Sequence, residues 1–458
     1  MKTKNAMPHF DWSKNILYSL LLVVVCCGIV AALTSCDKFL DITPTGKVIA
    51  STAEEYRNML TYEYKYFPKD RYMTTVRTDE ITLTSRTSST DLDAYLDLWR
   101  WKDENPSPTT SYFSWRSYYH CIYIANYVIE HRDEIKDASQ EVINQLVGEA
   151  YMLRGYCHFL LVNLYAEPYT HCVPSSTRGV PIMTAADVNA IPKSSSVEAV
   201  YQQVLSDISA AEQCLNVSQW AEGENYRFNT VSAPALRART YLYMGRWQEA
   251  LDAAKAVIAA HPELVDLTVS SAVLPDNYKS AENIVALEQF SNNLSTVINS
   301  PSADFINKYR TGDQRKTKYF KRATSTTWTL LKSDGYCSFR SGEAYLTAAE
   351  AAAQLGQLST AINDYLTPLW KKRLNATALS DEQTLVSTMS KEDLLKEIYD
   401  ERGRELAFEG HRWYDLRRTT QPALTRTYGG ETYTLTPQKY TMRFPTEAVE
   451  ANPEIERW

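Results

Sequence analysis

The sequence predicts a mostly α-helical protein in which helix pairs form a framework that is interrupted by two long insertions carrying minor β structure. Apolar residues recur at intervals of three and four over several long stretches, which is the spacing of one face of an α-helix. Between these stretches lie two polar segments, at about 61–114 and about 263–339, that are rich in Thr, Ser, Asn and Asp with interspersed aromatic residues. Loops on a rigid frame are where binding residues collect, so these insertions are the expected place for ligand contacts.

The most regular helical stripe consists of six apolar residues, Val197, Val200, Val204, Ile208, Ala211 and Leu215. Ser195 followed by Glu198 predicts a capping box at the start of this helix. A second stripe runs from Leu146 to Leu164 and is apolar on most sides around Tyr151–Tyr165. This pattern predicts a helix that is buried between neighbours.

Residues 233–262 have the pattern of a tetratricopeptide repeat, with small, aromatic and glycine residues at Ala238, Tyr241, Gly245, Trp247, Ala250 and Pro262. Gly245 is expected to turn the chain between two antiparallel helices. A fainter copy lies within Gly342–Lys372, at Ala349, Gly356, Ala361 and Tyr365. Helix pairs are therefore predicted at about 115–165, 196–262 and 340–418, and because they are not contiguous we do not expect a regular solenoid. Short strands are predicted near Thr82 and Ile284.

The N-terminus has the pattern of an export signal with a lipid anchor. Lys2, Lys4 and Lys14 precede an apolar run from Ile16 to Leu33, and Thr34 and Ser35 stand directly before Cys36. A transmembrane helix is the alternative interpretation of such a run. The small residues before a cysteine favour a bacterial lipoprotein signal peptide at 1–35, with Cys36 as the lipidated residue.

Composition excludes some classes of function. The formal net charge is −7, and the chain has no block of five or more basic residues, so nucleic acid is not a predicted partner. Five cysteines follow Cys36, namely Cys121, Cys157, Cys172, Cys214 and Cys337. An odd, scattered set does not predict a disulfide framework in a chain of this size. Cys157 with Cys172 is the pair that we would test as a bridge.

No cofactor, metal site or catalytic residue is predicted. Cys157, His158, His171 and Cys172 carry ligand atoms, but their spacing matches no structural zinc pattern. A cluster of three acids, Asp91, Asp93 and Asp97, lacks the glycine and glutamate of an EF-hand loop. The chain contains no phosphate-binding loop, dinucleotide fingerprint or nucleophile elbow. A glycosidase stays an alternative, since its two carboxylates have no fixed spacing in sequence.

The segment Glu397–Arg418 concentrates acids, arginines and aromatic residues in one helix and the turn after it. Glu401, Arg402, Arg404 and Glu405 have neighbours of opposite sign three or four residues away, so they are placed to neutralise one another. Arg412, Trp413, Asp415 and Arg417 extend the same pattern. We interpret the block as a buried ion-pair and aromatic cluster with a structural role.

Aromatic side chains in the insertions are the candidate ligand contacts, because sugar rings pack on Trp and Tyr faces and exposed rings give a large contact area at small entropic cost. Trp115 and Trp247 lie in helix-packing motifs and are assigned to the core. The candidates are Tyr95, Trp99 and Trp101 in the first insertion and Tyr319, Trp328 and Tyr336 in the second.

The segment Glu397–Arg418 closely resembles the C-terminal block of the SusD/RagB family of surface nutrient-binding lipoproteins. Residues 36–44, Cys-Asp-Lys-Phe-Leu-Asp-Ile-Thr-Pro, resemble the mature start of such proteins. Further segments resemble the family in the same order along the chain: Trp115–Ile129, Glu149–Tyr169, Gly179–Met183, Arg340–Glu350 and Tyr440–Pro453.

The resemblance implies one mostly helical domain over residues 36–458, with tetratricopeptide-like helix pairs on one side. It also implies an outer-membrane lipoprotein, with Asp37 after the lipidated Cys36 accompanying display on the cell exterior. Family members bind oligosaccharides, or in some cases peptides, and pass them to a SusC-like TonB-dependent β-barrel transporter without cleaving them. The alternatives are a peptide-binding member, a tetratricopeptide scaffold for outer-membrane protein assembly, and a surface hydrolase.

Overall fold

The computed structural model describes residues 50–83, 88–290, 300–332 and 335–455. The predicted signal peptide and the lipidation site Cys36 lie outside these ranges. From Ser51 onward the chain forms one compact unit. Across the described ranges, no helix combines the length and the apolar character that crossing a bilayer requires.

The α-helices are α1 (Ala53–Lys65), α2 (Met73–Val76), α3 (Ser89–Trp99), α4 (Trp115–Glu130), α5 (Gln140–Tyr165), α6 (Val197–Cys214), α7 (Ser232–Met244), α8 (Trp247–Ala260), α9 (Ala303–Ile306), α10 (Arg315–Tyr319), α11 (Ser341–Gln354), α12 (Leu358–Thr360), α13 (Thr367–Lys371), α14 (Ala376–Val386), α15 (Lys391–Glu405), α16 (Arg412–Arg418) and α17 (Thr446–Ala451). A π-helical turn, Ala361–Leu366, joins α12 to α13.

Short strands form separate two-stranded antiparallel ribbons, β1 with β2, β3 with β6, β4 with β5 and β7 with β8. The strands are β1 (Arg178–Pro181), β2 (Ser194–Ser196), β3 (Asn283–Val285), β4 (Phe320–Arg322), β5 (Trp328–Leu330), β6 (Phe339–Arg340), β7 (Thr425–Tyr428) and β8 (Glu431–Thr434). The predicted mostly α-helical class with minor β structure is confirmed.

Helix α5 is the buried centre of the framework and packs against α4 and α6. Its side chains from Gln145 to Tyr165 are buried apart from Tyr151, which confirms the prediction made from its apolar pattern. The predicted cap of α6 is displaced by one residue. Ser196, and not Ser195, caps the helix by accepting a hydrogen bond from the Ala199 N–H at 3.1 Å.

The predicted helix pair around Gly245 is present as the antiparallel hairpin of α7 and α8. Gly245 has a φ of 71°, a left-handed conformation that glycine adopts without strain and that ends α7. The fainter copy is also a hairpin, in which α11 ends before Gly356 and the chain returns through α12, the π-helical turn and α13. The glycine pattern therefore located both turns.

The cysteines at 157 and 172 do not form a bridge, since both are free thiols. Cys157 is buried in α5, and Cys172 is half-buried. The Cys157–Cys172 disulfide bond, which the sequence alone did not decide, is thus not formed in this structure.

A buried ionic network joins the end of α15 to the second insertion. Glu405 lies at its centre, with Oε1 at 2.8 Å from both Arg340 Nη1 and Arg373 Nη2 and Oε2 at 3.0 Å from Arg315 Nη1. Glu282 bridges two of the same cations, at 3.0 Å from Arg340 and 2.6 Å from Arg373. All five side chains are at most 1% exposed. The network therefore operates away from water, where an unpaired charge is costly.

The network confirms the predicted buried cluster and corrects the predicted pairing. Arg404 does pair with Glu401 one turn earlier, at 2.7 Å. Glu405, however, is neutralised by arginines outside its own helix, and Arg402 pairs with Asp415 of α16 at 3.0 Å. Burial alone would raise the pKa of Glu405, but the guanidinium groups of Arg373 and Arg340 outweigh burial and hold that pKa well below its usual range.

Gly342 makes room for this network at the start of α11. A Cβ atom at this position would meet the Arg340 guanidinium and would lie 3.0 Å from Glu405 Oε1 and 3.1 Å from Glu282 Oε2. The side-chain hydrogen of glycine thus permits the close approach of these groups.

Glu80 in the first insertion is a buried carboxyl that forms no salt bridge among the described residues. Its Oε1 accepts a hydrogen bond from the Phe408 N–H at 2.7 Å, and its Oε2 lies 3.1 Å from Thr78 Oγ1. The same hydroxyl lies 2.8 Å from the Thr75 carbonyl oxygen, which can only accept. The Thr78 hydroxyl proton is therefore shared between the Thr75 carbonyl oxygen and Oε2. Burial raises the pKa of Glu80 to about 8, so the carboxyl is neutral at pH 7.

We expect Glu405→Ala to lower the free energy of unfolding by about 3–5 kcal/mol, because it leaves three buried arginines without their shared carboxylate. Urea denaturation measures this change. Glu392→Ala, at an exposed position of the same helix, is the control and should change stability by no more than about 0.5 kcal/mol. An unchanged melting temperature for Glu405→Ala would contradict the structural role.

We expect Glu80→Gln to become stabilising relative to the wild type as the pH rises from 5 to 8. Between the unfolded pKa near 4.5 and the folded pKa of about 8, the folded wild type holds one proton more than the unfolded chain. Its stability therefore falls as the pH rises through this window, whereas the amide of the variant does not titrate. Melting curves of both proteins at pH 5 and pH 8 test this, and a difference that is the same at both values would refute it.

Candidate functional site

A cleft opens between the connection from α6 to α7 and the segment that leads into β3. Its cavity volume is about 170 Å³, and its walls come from residues 218–229 and 278–284, with His261 at the end of α8. We call it the Trp220–Tyr278 cleft. Two aromatic rings, four amides and two opposite charges line it, namely Trp220, Tyr278, Gln219, Asn225, Asn229, Asn283, Glu222 and Lys279.

The first wall is a closed loop. After α6 ends, the Thr230 N–H donates to the Val217 carbonyl at 2.9 Å, which brings the two ends of the loop together. Gln145 of α5 accepts hydrogen bonds from the backbone N–H groups of Asn216 and Val217 at 2.9 and 3.0 Å. Gly223 turns the tip of the loop with a φ of 88°. The buried helix α5 therefore holds the base of this wall in place.

The second wall is anchored by the buried ionic network. Glu282, which joins Arg340 and Arg373, stands directly before Asn283 at the start of β3. Asn283 pairs with Arg340 of β6 in the antiparallel ribbon. The position of the second wall is therefore fixed both by strand pairing and by ion pairs.

Amide side chains connect the two walls. Asn225 Nδ2 donates to the Tyr278 carbonyl at 2.7 Å, and Asn229 Nδ2 donates to the Ile284 carbonyl at 2.9 Å. The Ala286 N–H donates to the Asn225 carbonyl at 2.8 Å. These bonds cross the floor of the cleft, so its width is set before any ligand enters.

The Trp220 ring is fixed in orientation. Its Nε1–H donates to the Phe228 carbonyl at 3.0 Å. The guanidinium groups of Arg227 and Arg57 lie 4.9 and 5.7 Å from the ring centre. The ring is half-buried, so part of its surface still faces the cleft.

The Tyr278 ring stands at the opposite wall. Tyr336 packs edge-on against it, with 6.4 Å between ring centres. At the mouth, Lys279 Nζ lies 2.9 Å from Glu222 Oε1, and both side chains are at least half exposed. Hydrogen bonding to Glu222 and Tyr278 raises the pKa of Lys279, which keeps it charged. The mouth of the cleft therefore presents a neutralised ion pair.

Two other cavities have a different character. A groove of about 820 Å³ lies along α4, the loop after β1 and α17, and its lining is mainly apolar, with Trp115, Met183 and Val188 among its residues. A cavity of about 600 Å³ beside β8 is lined mainly by charged side chains, including Arg100, Lys102 and Glu431. The groove also contains aromatic rings and the Asn452 amide, but its lining is mainly apolar, whereas amides are the commonest side chains with polar groups in the Trp220–Tyr278 cleft.

The structure places Trp99 and Trp101 in the interior, which corrects their prediction as ligand contacts. They are 5% and 1% exposed. The Arg426 guanidinium of the β7 strand packs against both rings in this interior, 4.8 Å from the Trp99 ring centre and 4.4 Å from that of Trp101. The Trp101 Nε1–H also donates to the Arg77 carbonyl at 2.9 Å.

Tyr319 is also corrected, because it is fully buried and the Lys332 ammonium lies 4.2 Å from its ring centre. Tyr95 is half-buried, and its hydroxyl lies 2.9 Å from that of Tyr72. Trp328 is half-buried on β5, with Arg322 at 6.0 Å from its ring centre. Of the six predicted residues, Tyr336 alone is brought to the cleft, through its contact with Tyr278.

The sequence interpretation missed Trp220, Asn225, Tyr278 and Asn283. The first two lie in the connection between α6 and α7, which is long for a helix hairpin. A connection of this length without regular structure is a known signal for a binding loop. Tyr278 and Asn283 lie inside the predicted second insertion but were not singled out.

The potential metal ligands have structural roles. His158 is fully buried, and its Nε2 accepts a hydrogen bond from the Met183 N–H at 3.2 Å. Burial lowers the pKa of His158 to about 3, so the ring is neutral. Asp97 pairs with Arg100 at 2.6 Å and caps the backbone of Ser107. Within the described ranges, no group of three or more His, Cys, Asp or Glu side chains is arranged to hold a metal ion.

Comparison with known families gives two matches that lie one after the other along the chain. Residues 38–242 match the profile described as "Starch-binding associating with outer membrane", and residues 266–455 match that of the SusD family. SusD-like protein P38 of Formosa agariphila is 24% identical, over 89% of this chain and 92% of its own length. SusD-like protein P25 of the same organism is 22% identical over 67% of this chain and 69% of its own.

Solved structures share the fold. A SusD superfamily protein of Bacteroides thetaiotaomicron superposes with a TM-score of 0.73 at 22% identity, over 89% of this chain and 99% of that one. A putative sugar binding protein of Bacteroides vulgatus gives a TM-score of 0.72 at 20% identity, over 90% of this chain and 99% of its own.

We expect Trp101→Ala to lower the free energy of unfolding by about 3–5 kcal/mol, because it removes a large buried ring and the cation–π partner of Arg426. Chemical denaturation measures the loss, and glycan affinity of the folded fraction should stay at the wild-type value. A variant of wild-type stability with weakened ligand binding would show instead that this ring contacts ligand.

Proposed function

This chain belongs to the SusD-like family, and on that premise we propose that it is a non-catalytic glycan-binding lipoprotein of the outer membrane. In this proposal the Trp220–Tyr278 cleft holds part of an oligosaccharide, and the protein delivers it to a SusC-like TonB-dependent transporter. The family match supports outer-membrane association, and the similarity to a putative sugar binding protein of Bacteroides vulgatus supports the class of ligand.

The observation that carries the proposal is the pairing of ring faces with fixed amides in one cleft. Pyranose rings have apolar C–H faces that pack on Trp220 and Tyr278, whereas their hydroxyl groups need hydrogen-bond partners such as those of Asn225 and Asn283. Because hydrogen bonds hold both walls before a ligand arrives, little conformational entropy is lost on binding. This arrangement suits a sugar better than an apolar ligand.

The chemistry of the cleft supports binding without cleavage. Glycoside hydrolysis needs two carboxyl groups on opposite sides of the scissile bond. Among the described residues that line the cleft, Glu222 is the single acid, and Lys279 neutralises it. A hydrolase would require a second carboxylate here.

We further propose that Cys36 carries the lipid anchor and that the protein faces the cell exterior. A triacylated cysteine exceeds the two anchoring signals that stable membrane attachment generally needs. Cys36→Ala should therefore release the protein from the membrane fraction into the soluble fraction.

A transporter partner should co-purify with a tagged wild-type protein in mild detergent, as a β-barrel of the TonB-dependent class.

Binding is tested with the soluble protein, residues 37–458, against a panel of polysaccharides and peptides. Retarded migration in native gels that contain polysaccharide, followed by calorimetry, measures affinity, and chromatography of the incubated glycan measures cleavage. Retardation by one glycan class without products is the expected result. Binding of peptides alone would favour the peptide-binding alternative, and release of products would favour a hydrolase.

We expect Trp220→Ala and Tyr278→Ala each to weaken glycan binding by about tenfold or more while the melting temperature stays within a few degrees, because both rings are partly exposed and lie outside the core. Trp328→Ala is the matched comparison, since it removes a half-buried ring of the second insertion that lies outside the cleft. Loss of affinity in Trp328→Ala alone would place the site elsewhere.

A further inference from the structure

Asn283 carries an acceptor that the protein does not use. The residue is 8% exposed and lines the Trp220–Tyr278 cleft. Its Nδ2 group donates to the Tyr336 carbonyl at 2.7 Å and to the Asn277 carbonyl at 3.3 Å. Its Oδ1 is buried and has no hydrogen-bond partner among the residues that the structure describes. Most buried side-chain polar atoms in proteins are satisfied, so this atom requires an explanation.

The orientation of the amide is fixed by its two donors. Rotation of the side-chain amide by half a turn would place Oδ1 against the carbonyl oxygens of Tyr336 and Asn277, which cannot donate. The backbone of Asn283 is held as well, since it pairs with Arg340 across the β3–β6 ribbon. The amide therefore keeps an acceptor, and not a donor, on the side away from these two carbonyl groups.

A local structural role does not account for the unpaired acceptor. The donors of Asn283 hold the segment around Tyr336, and a side chain with donors alone would serve that purpose. Leaving a buried acceptor unpaired is unfavourable in the empty protein. The unfavourable contribution is removed when a ligand supplies a donor.

We propose that Asn283 Oδ1 accepts a hydrogen bond from a hydroxyl group of the ligand, and that the inner end of the cleft therefore takes a neutral sugar unit and rejects an acidic one. Hydroxyl groups donate, whereas carboxylate and sulfate groups can only accept. An acidic group at this point would face Oδ1 without a proton between them. This proposal rests on the glycan-binding function proposed above and assigns the chemical class of the sugar at one position.

The charges around the cleft agree with this assignment. Lys279 could attract an anion, but it lies at the exposed mouth and is paired with Glu222. Glu282, next to Asn283 in the chain, already shares two arginines with Glu405. Arg340 and Arg373 are thus committed to carboxylates of the protein and are not available to an acidic sugar.

The first test uses the wild-type protein, so it does not depend on the folding of any variant. Hydroxyethyl cellulose with carboxymethyl cellulose, and methyl-esterified with de-esterified polygalacturonate, form two pairs of neutral and acidic polymers that share a backbone. Affinity electrophoresis should show binding to a neutral member that is about tenfold tighter than to its acidic counterpart. Equal or tighter binding of the acidic member would overturn the proposal, whereas binding to no glycan of the larger panel would overturn the proposed function itself.

The second test changes the acceptor. Asn283→Leu keeps the branched arrangement of heavy atoms without polar atoms, and we expect about a tenfold loss of affinity for the neutral glycan together with a loss of the preference over the acidic one. Asn216→Leu is the matched control, since its amide lies on the exposed side of the same loop system and bonds to the Glu141 carbonyl. Retained affinity and preference in Asn283→Leu would overturn the proposal. A lowered melting temperature in Asn283→Leu would show how much Nδ2 stabilises the wall, while the wild-type comparison still decides the role of Oδ1.

Discussion

The shared pairing of Glu405 and Glu282 with Arg340 and Arg373 is the constraint on which the rest of the structure depends. Each of these charges would be strongly destabilising alone in the interior, because removing an ion from water costs more than one imperfect pair returns. The free-energy cost of burying these charges is offset because each carboxylate has two or more guanidinium partners within the same network. The consequence is cooperative assembly. The end of α15, the start of α11 and the segment before β3 have to come together for any of these charges to be satisfied.

This constraint also positions the candidate site. Glu282 is fixed by Arg340 and Arg373, and Asn283 is the next residue in the chain. The geometry of the cleft is therefore determined in part by a charge network that does not itself face a ligand. Arg412 extends the same arrangement to the first insertion, where it pairs with Asp79 at 2.8 Å. Both insertions are thus held by ion pairs to residues far away in sequence, since Arg315 pairs with Glu405, 90 residues later, and Asp79 pairs with Arg412, 333 residues later.

The helical framework could be predicted because its signals are local. The turn at Gly245 and the apolar stripe of α6 each depend on residues that lie within a few helical turns of one another. Helix packing depends on the spacing of such apolar residues. The ligand contacts could not be predicted in the same way. Whether Trp99 faces solvent depends on its contact with Arg426 of β7, which no local sequence pattern predicts. The burial of Tyr319 depends in the same way on its contact with Lys332. Tyr336 was predicted because it lies in an insertion, yet its neighbour Tyr278 carried no stronger signal and was not predicted.

The size of the cleft bears on how the protein would work with a transporter. A volume of about 170 Å³ is comparable to that of roughly six water molecules in the liquid, which is room for one sugar ring. Ligands of that size gain limited affinity even in well-formed sites, so binding through this cleft is expected to be weak and dissociation fast. A protein that stores sugar would be poorly served by such a site. A protein that captures a long glycan at one unit and then releases it to a neighbouring transporter requires fast dissociation, and the fixed walls of the cleft allow selective binding without slow conformational steps.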